Sequence, residues 1–139
     1  MVASPLLIDA GFLVAFLNDK DREHLRAVNA AAAWEEREWV TSWPVLTETV
    51  HLLPVALRHE LLESQTEGLF DVVALRKEDV ERLAQLLLKY RDRRLDLADA
   101  SLIVLAERLN TGDILTCDRR DFSVVRWRQR KVFRNLMFE

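Results

Sequence analysis

Short apolar runs that do not alternate, each ending close to an acid and followed by a helical pattern, constrain this chain most. Leu6-Leu7-Ile8 ends on Asp9, and Ile114-Leu115-Thr116-Cys117 ends on Asp118. Glu48 lies early in the segment after Trp39-Val40-Thr41-Ser42, and Asp99 opens a charge-free stretch from Ala100 to Ala106. Strands without polar alternation are buried on both faces, as in a parallel sheet. Strands that alternate with helices require a mainly parallel sheet covered by helices on both sides. An acid just past such a strand, or in the first turn of the next helix, points into the crevice at the strands' carboxyl ends. The expected fold class is α/β.

The pattern divides the rest of the chain. Pro5 to Ile8 reads as a first strand and Gly11 to Leu17 as a buried helix. Arg22 to Arg37 reads as a helix with Ala27, Ala30, Ala31 and Trp34 inside, and Trp39 to Ser42 as a second strand. Pro44 suits the first turn of a helix that Pro54 stops. A helix over 56–67 ends at Gly68, and Leu69 to Leu75 reads as a strand. Glu78 to Tyr90 is amphipathic, with Val80, Leu83, Ala84, Leu87 and Leu88 on one stripe. Leu97 to Leu109 is apolar nearly all round, as for a helix covered on both sides. Asp113 to Cys117 reads as a strand, and Val124 to Trp127 as a short final one.

A chain of 139 residues suits one domain over 1–139, long enough to bury about two-thirds of its unfolded surface. With three glycines and three prolines, loops should be few and helices many. The single cysteine, Cys117, allows no internal disulfide and fits a reducing cytoplasm. The N-terminal stretch lacks a basic region and is interrupted by Asp9, unlike a signal peptide. No apolar run approaches the roughly 20 residues that span a bilayer, so no membrane association is expected.

Net charge is −3, yet Arg119 to Arg134 carries seven basic residues and one acid. Such a patch binds phosphate even in an acidic protein, or forms a solvated edge.

Each acid has a plain structural reading. Asp96 is a good N-cap, with Asp99 three residues on. Asp118 suits an Asx-turn, and Asp9 suits a helix cap. Glu48 is harder to dismiss, because Val45, Leu46, Val50, Leu52 and Leu53 surround it and a buried glutamate needs a partner. All four fall at the same end of successive strand-to-helix junctions. Acids crowded there repel unless a hard cation neutralises them, and oxygen-only clusters suit Mg²⁺ or Mn²⁺. Other machinery is lacking: no Gly-rich phosphate loop, no Gly-x-Ser-x-Gly elbow, and no zinc spacing among His24, His51 and His59.

At these residues the sequence resembles the PIN-domain ribonucleases, and among them the VapC-type toxins. The stretches that carry the resemblance are 7–11 (LIDAG), 41–48 (TSWPVLTE), 95–102 (LDLADASL) and 114–122 (ILTCDRRDF). The resemblance implies a three-layer α/β/α sandwich around a mainly parallel four- to five-stranded sheet. It implies Mg²⁺- or Mn²⁺-dependent cleavage of single-stranded or loop RNA. The family's catalytic and metal-binding acids would fall on Asp9, Glu48, Asp99 and Asp118, with Asp96 and Asp121 as supporting acids. Arg119, Arg120, Arg126 and Arg128 would hold the RNA backbone, and Trp43 and Trp127 are candidates for base stacking. A homodimer and a cognate antitoxin are implied partners. One position departs from the family: Ala10 stands where a hydroxyl commonly follows the first Asp. The alternative is a catalytically silent PIN-like RNA-binding or protein-interaction module.

Overall fold

The computed structural model describes residues 3–138. Three short strands, β1 (Leu6–Ile8), β2 (Trp39–Thr41) and β4 (Asp113–Leu115), form the middle of a sheet. Its edges are β3 (Asp71–Val72) and β7 (Arg134–Asn135), in the order β3-β2-β1-β4-β7. Every pairing is parallel. The register sets Leu7 beside Val40 on one side and Ile114 on the other. Strands β1 and β2 are fully buried, as are Ile114 and Leu115 of β4, in keeping with their mostly apolar sequences.

Helices α1 (Ala10–Leu17) and α2 (His24–Ala33) connect β1 to β2, and α3 (Trp43–Leu52) and α4 (Arg58–Thr66) connect β2 to β3. Helices α5 (Asp79–Lys89) and α6 (Leu97–Leu109) return the chain to β4. The first two connections run outward from β1 in one direction, and the third reverses it. Parallel crossovers are right-handed, so the reversal puts α5 and α6 on the face opposite α1. This gives the three layers. It also creates a crevice between the carboxyl ends of β1 and β4, where strand order changes direction.

Local chemistry places the helix ends. Ser42 caps α3 by accepting from the Val45 N–H at 3.3 Å, and Pro44 sits in its first turn. Asp96 caps α6 by accepting from the Asp99 N–H at 2.8 Å. Helix α6 is buried from Ala98 to Ala106, and its covering on both sides explains its lack of a polar face.

Four elements differ from the sequence pattern. The third strand spans only Asp71–Val72, not Leu69 to Leu75, because it lies at the sheet edge with pairing on one side. Helix α2 ends at Ala33, short of Arg37. Helix α5 buries Leu83 and Leu86, with Tyr90 buried just past its end, while Val80, Ala84 and Leu88 of the expected stripe are exposed. Arg82 pairs with Glu107, and Asp79 with Arg108; both pairs reach α6 and accompany that turn of the helix. The stretch Val124 to Trp127 is not a final sheet strand. It closes a short helix α7 (Asp121–Val124) and opens β5 (Arg126–Trp127), which pairs antiparallel with β6 (Lys131–Val132) in a separate hairpin. Trp127 covers Gly112, where a Cβ would run into the indole nitrogen.

Candidate functional site

Asp9 follows β1 directly and serves as the N-cap of α1. One carboxylate oxygen accepts from the Ala10 N–H at 2.8 Å, and the other accepts from the Thr116 hydroxyl at 2.6 Å. The same Thr116 oxygen accepts from the Asp118 N–H at 2.9 Å. Thr116 thus ties the acid after β1 to the acid after β4. The Asn135 side chain, at the end of β7, in turn donates to the Thr116 carbonyl at 3.0 Å.

Two other acids arrive on helices. Glu48 projects from α3, and Asp99 lies in the first turn of α6. A hydroxyl pair, Ser42 to Ser101 at 2.6 Å, is buried between these helices. Asp96 lies carboxyl to carboxyl against both Glu48 and Asp99. Asp118 accepts from the Asp121 N–H at 2.9 Å, and Asp121 pairs with Arg93 at 3.3 Å. The plain structural roles and the clustering therefore coexist: Asp9 and Asp96 are caps, Asp118 makes a turn, and all face one cavity.

That cavity, of about 410 Å³, is lined by Asp9, Glu48, Asp96, Asp99, Asp118 and Asp121. Burial is the main force on the titration of Asp9, Glu48, Asp99 and Asp121, and repulsion from neighbouring acids adds to it. Burial pushes Asp9 up to about 6 against the pull of its Thr116 and Ala10 hydrogen bonds, with Asp118 and Asp96 adding repulsion. Burial, then the charges of Asp96 and Asp9, push Glu48 up to about 7. Asp99 is raised by burial and then by Asp9 and Asp96. Asp121 is raised by burial and by Asp118. Without a cation, the cluster retains protons that a lone carboxylate would release.

The donor set fits a hard divalent cation, since every acidic group at the cavity offers oxygen and none of the histidines lines it. Among the described residues, no three such side chains close on one point as a finished metal cage. They face one another across the cavity instead.

The proposed RNA contacts are more scattered. Arg119 and Arg120 are exposed just past Asp118, and Arg119 lies over the Phe138 ring at 4.5 Å. Arg126 donates to the Ser123, Val124 and Val125 carbonyls of its own turn. Arg128 donates to Asn110 and to the Glu107 carbonyl at the far end of α6 from Asp99. None of Arg119, Arg120, Arg126 and Arg128 lines the acid cavity. Trp127 is buried and donates its indole N–H to Val132, so it is not free to stack on a base. Trp43 is 57% exposed, on an apolar groove that shares Glu48 and Asp96 with the acid cavity.

Sequence reasoning missed Thr116, Ser42, Ser101 and Arg94. Thr116 lies inside an apolar run two residues before Asp118, and a lone hydroxyl there was the available signal. Arg94 lies in a segment that reads only as a polar break, yet it lines the cavity. Cys117 also lines it, close against α1, where a Cβ on Gly11 would stand 3.2 Å from the Cys117 Cβ. Burial, then Glu23 and Asp21, push the Cys117 thiol up to about 12.

A parallel sheet with an acid cavity at its switch point is the arrangement of a PIN domain, and the chain belongs to that family, whose model matches residues 6–128. Its VapC type is indicated by similarity to ribonuclease VapC26 of Mycobacterium tuberculosis. Identity is 32% over 125 residues, spanning 87% of this chain and 92% of that protein. The crystal structure of Mycobacterium tuberculosis VapC20, described as a sarcin-ricin loop cleaving toxin, has the same fold. It aligns with a TM-score of 0.70 at 20% identity, over 83% of this chain and 91% of that one.

Proposed function

We propose that this protein is a metal-dependent endoribonuclease, the toxin of a toxin–antitoxin pair, acting as one PIN-like domain over residues 1–139. The observation that carries the reading is the gathering of acids from β1, α3, α6 and the end of β4 around one cavity of a PIN fold. Family membership and the VapC26 likeness support it.

Asp9, Asp99 and Asp118 would hold Mg²⁺ or Mn²⁺, with Glu48 binding directly or through water. When bound, the cation polarises a phosphodiester and supplies an activated water. The chain's own residues set the frame for that chemistry. The Ala10 N–H and the Thr116 hydroxyl fix both oxygens of Asp9. Asp96 and Asp121 support their neighbours Asp99 and Asp118 through the first turn of α6 and the turn after β4. Glu48, raised to about 7 by burial, would orient the attacking water. Arg119 and Arg120, exposed just past Asp118 in the chain, would hold the RNA backbone, whose phosphates attract arginine without regard to sequence. RNA loops with exposed bases are the usual targets of proteins that select RNA.

The partners of this reading are RNA, a cognate antitoxin that covers the acid cleft, and a second copy of the chain. Its place is the cytoplasm. Among the described residues, no helix is long and apolar enough to cross a membrane.

The test incubates purified protein with total RNA and with a sarcin–ricin-loop hairpin, in Mg²⁺, in Mn²⁺ and in chelator, followed by sequencing of the new ends. Discrete cuts that need a divalent ion support the reading. RNA left intact under all ionic conditions refutes it.

A further inference from the structure

Arg94 is the one basic side chain among the residues lining the acid cavity. It follows a single 3₁₀ turn, Arg91–Arg93, and its backbone is left-handed, with φ 55° and ψ 40°. Glycine or asparagine takes that conformation at lower cost than arginine. The neighbouring Arg93 is committed, because it pairs with Asp121 at 3.3 Å. Among the described residues, the Arg94 guanidinium makes no ion pair and no side-chain hydrogen bond, although six acids share its cavity. A long cation is therefore held in a costly backbone conformation at the mouth of the cavity, exposed and unspent.

We infer that Arg94 is a substrate-binding residue that takes the RNA phosphate entering the cavity, donating to its non-bridging oxygens. This rests on the reading of the protein as an RNA-cleaving enzyme. A guanidinium offers two parallel donors to a phosphate, a geometry that an ammonium cannot copy. An acid-lined cavity repels RNA, so a cation at its mouth is where attraction is needed most. Arg94 differs in this from Arg126 and Arg128, whose guanidinium groups are occupied by backbone carbonyls and Asn110.

The test uses the full chain with an RNA hairpin that the wild-type protein cleaves in Mg²⁺. R94Q, R94K and R94G are compared for KM, kcat, salt dependence and melting. R94Q should raise KM about tenfold, the size of one charge-assisted hydrogen bond. The slope of log(kcat/KM) against log salt should become shallower by about 0.7, as for one lost contact to single-stranded phosphate. R94K should keep the wild-type slope and recover only part of the KM. R94G should melt no lower than wild type, because glycine accepts the left-handed backbone, while it shows the same KM defect. Unchanged KM and slope in R94Q, with wild type active, overturn the role of Arg94 alone. An inert wild-type protein instead overturns the enzymatic reading beneath it.

Discussion

The Thr116 hydroxyl donates to an Asp9 oxygen at 2.6 Å, between residues 107 positions apart in the chain. It also accepts from the Asp118 N–H, so one buried side chain sets two acids that follow neighbouring strands. T116V keeps the shape and removes the bond. Cleavage should fall about 10- to 100-fold, as when groups that orient metal ligands are removed. The fold should lose about 1–2 kcal/mol. T116S should restore most of the activity. A T116V protein that cuts RNA at the wild-type rate would show that this hydroxyl does not position the site.

D9N and D99N remove charge and leave shape nearly unchanged, and asparagine still caps a helix. Each should reduce metal-dependent cleavage by at least about a hundredfold. In chelator, both variants should melt at or above the wild-type temperature, because like charge has been removed from a buried cluster. Cleavage at the wild-type rate by both would dismiss the assignment. A lower melting temperature for both would favour a purely structural role for these acids.

The titration shifts predict an unusual stability profile for the metal-free protein. Asp9 is raised from 3.8 to about 6 in the fold. A raised carboxyl stabilises the fold below its unfolded pKa, where it is protonated in both states. That stability is lost as pH climbs through the folded value. For Asp9 the loss is roughly 3 kcal/mol at most. Glu48 and Asp99 act in the same direction. Burial works upward on Asp79 and Glu107 too, but Arg108 and Arg82 outweigh it and hold both below the usual range. Their opposite effect is complete by about pH 5. Denaturant unfolding in chelator should therefore show stability falling from pH 5 to 8. Excess Mg²⁺ should recover about 2.7 kcal/mol at a hundred times its Kd. A flat profile in chelator would contradict the burial of these acids.

The Ser42–Ser101 contact predicts a cost that a surface serine would not have. S42A removes a buried 2.6 Å contact and the cap on the Val45 N–H. The loss should be about 1–2 kcal/mol in chemical denaturation. Stability within a few tenths of a kcal/mol of wild type would mean that the hydroxyls do not fasten α3 to α6.

The sheet's centre was readable because Leu6 to Ile8, Trp39 to Thr41 and Ile114 to Leu115 need no polar face. The positions of Asp9 and Asp118 followed from those strands. Strands β6 and β7 were not readable: each has two residues, too few to show a period. The face of α5 was misread because Leu86-Leu87-Leu88 satisfies two neighbouring stripes. Packing in the fold selects one of them: Leu83 and Leu86 are buried, and Arg82–Glu107 and Asp79–Arg108 pair with α6 beside them. The basic run from Arg119 onward was legible as charge and not as geometry. Hydrogen bonds of Arg126 to the end of α7, and of Arg128 to the end of α6, decide where those cations point. Arg94 stayed hidden because a left-handed arginine leaves no pattern in the letters around it.

Cys117 stands at the cavity wall with its sulfur 3.8 Å from that of Met137 and its thiol pushed up to about 12. Alkylation needs the thiolate, which displaces iodide from the reagent, and at neutral pH this side chain holds almost none. The native enzyme should thus ignore iodoacetamide, and an opened molecule should take it up. The chain carries its own chemical reporter, one that registers when the wall behind the acids gives way.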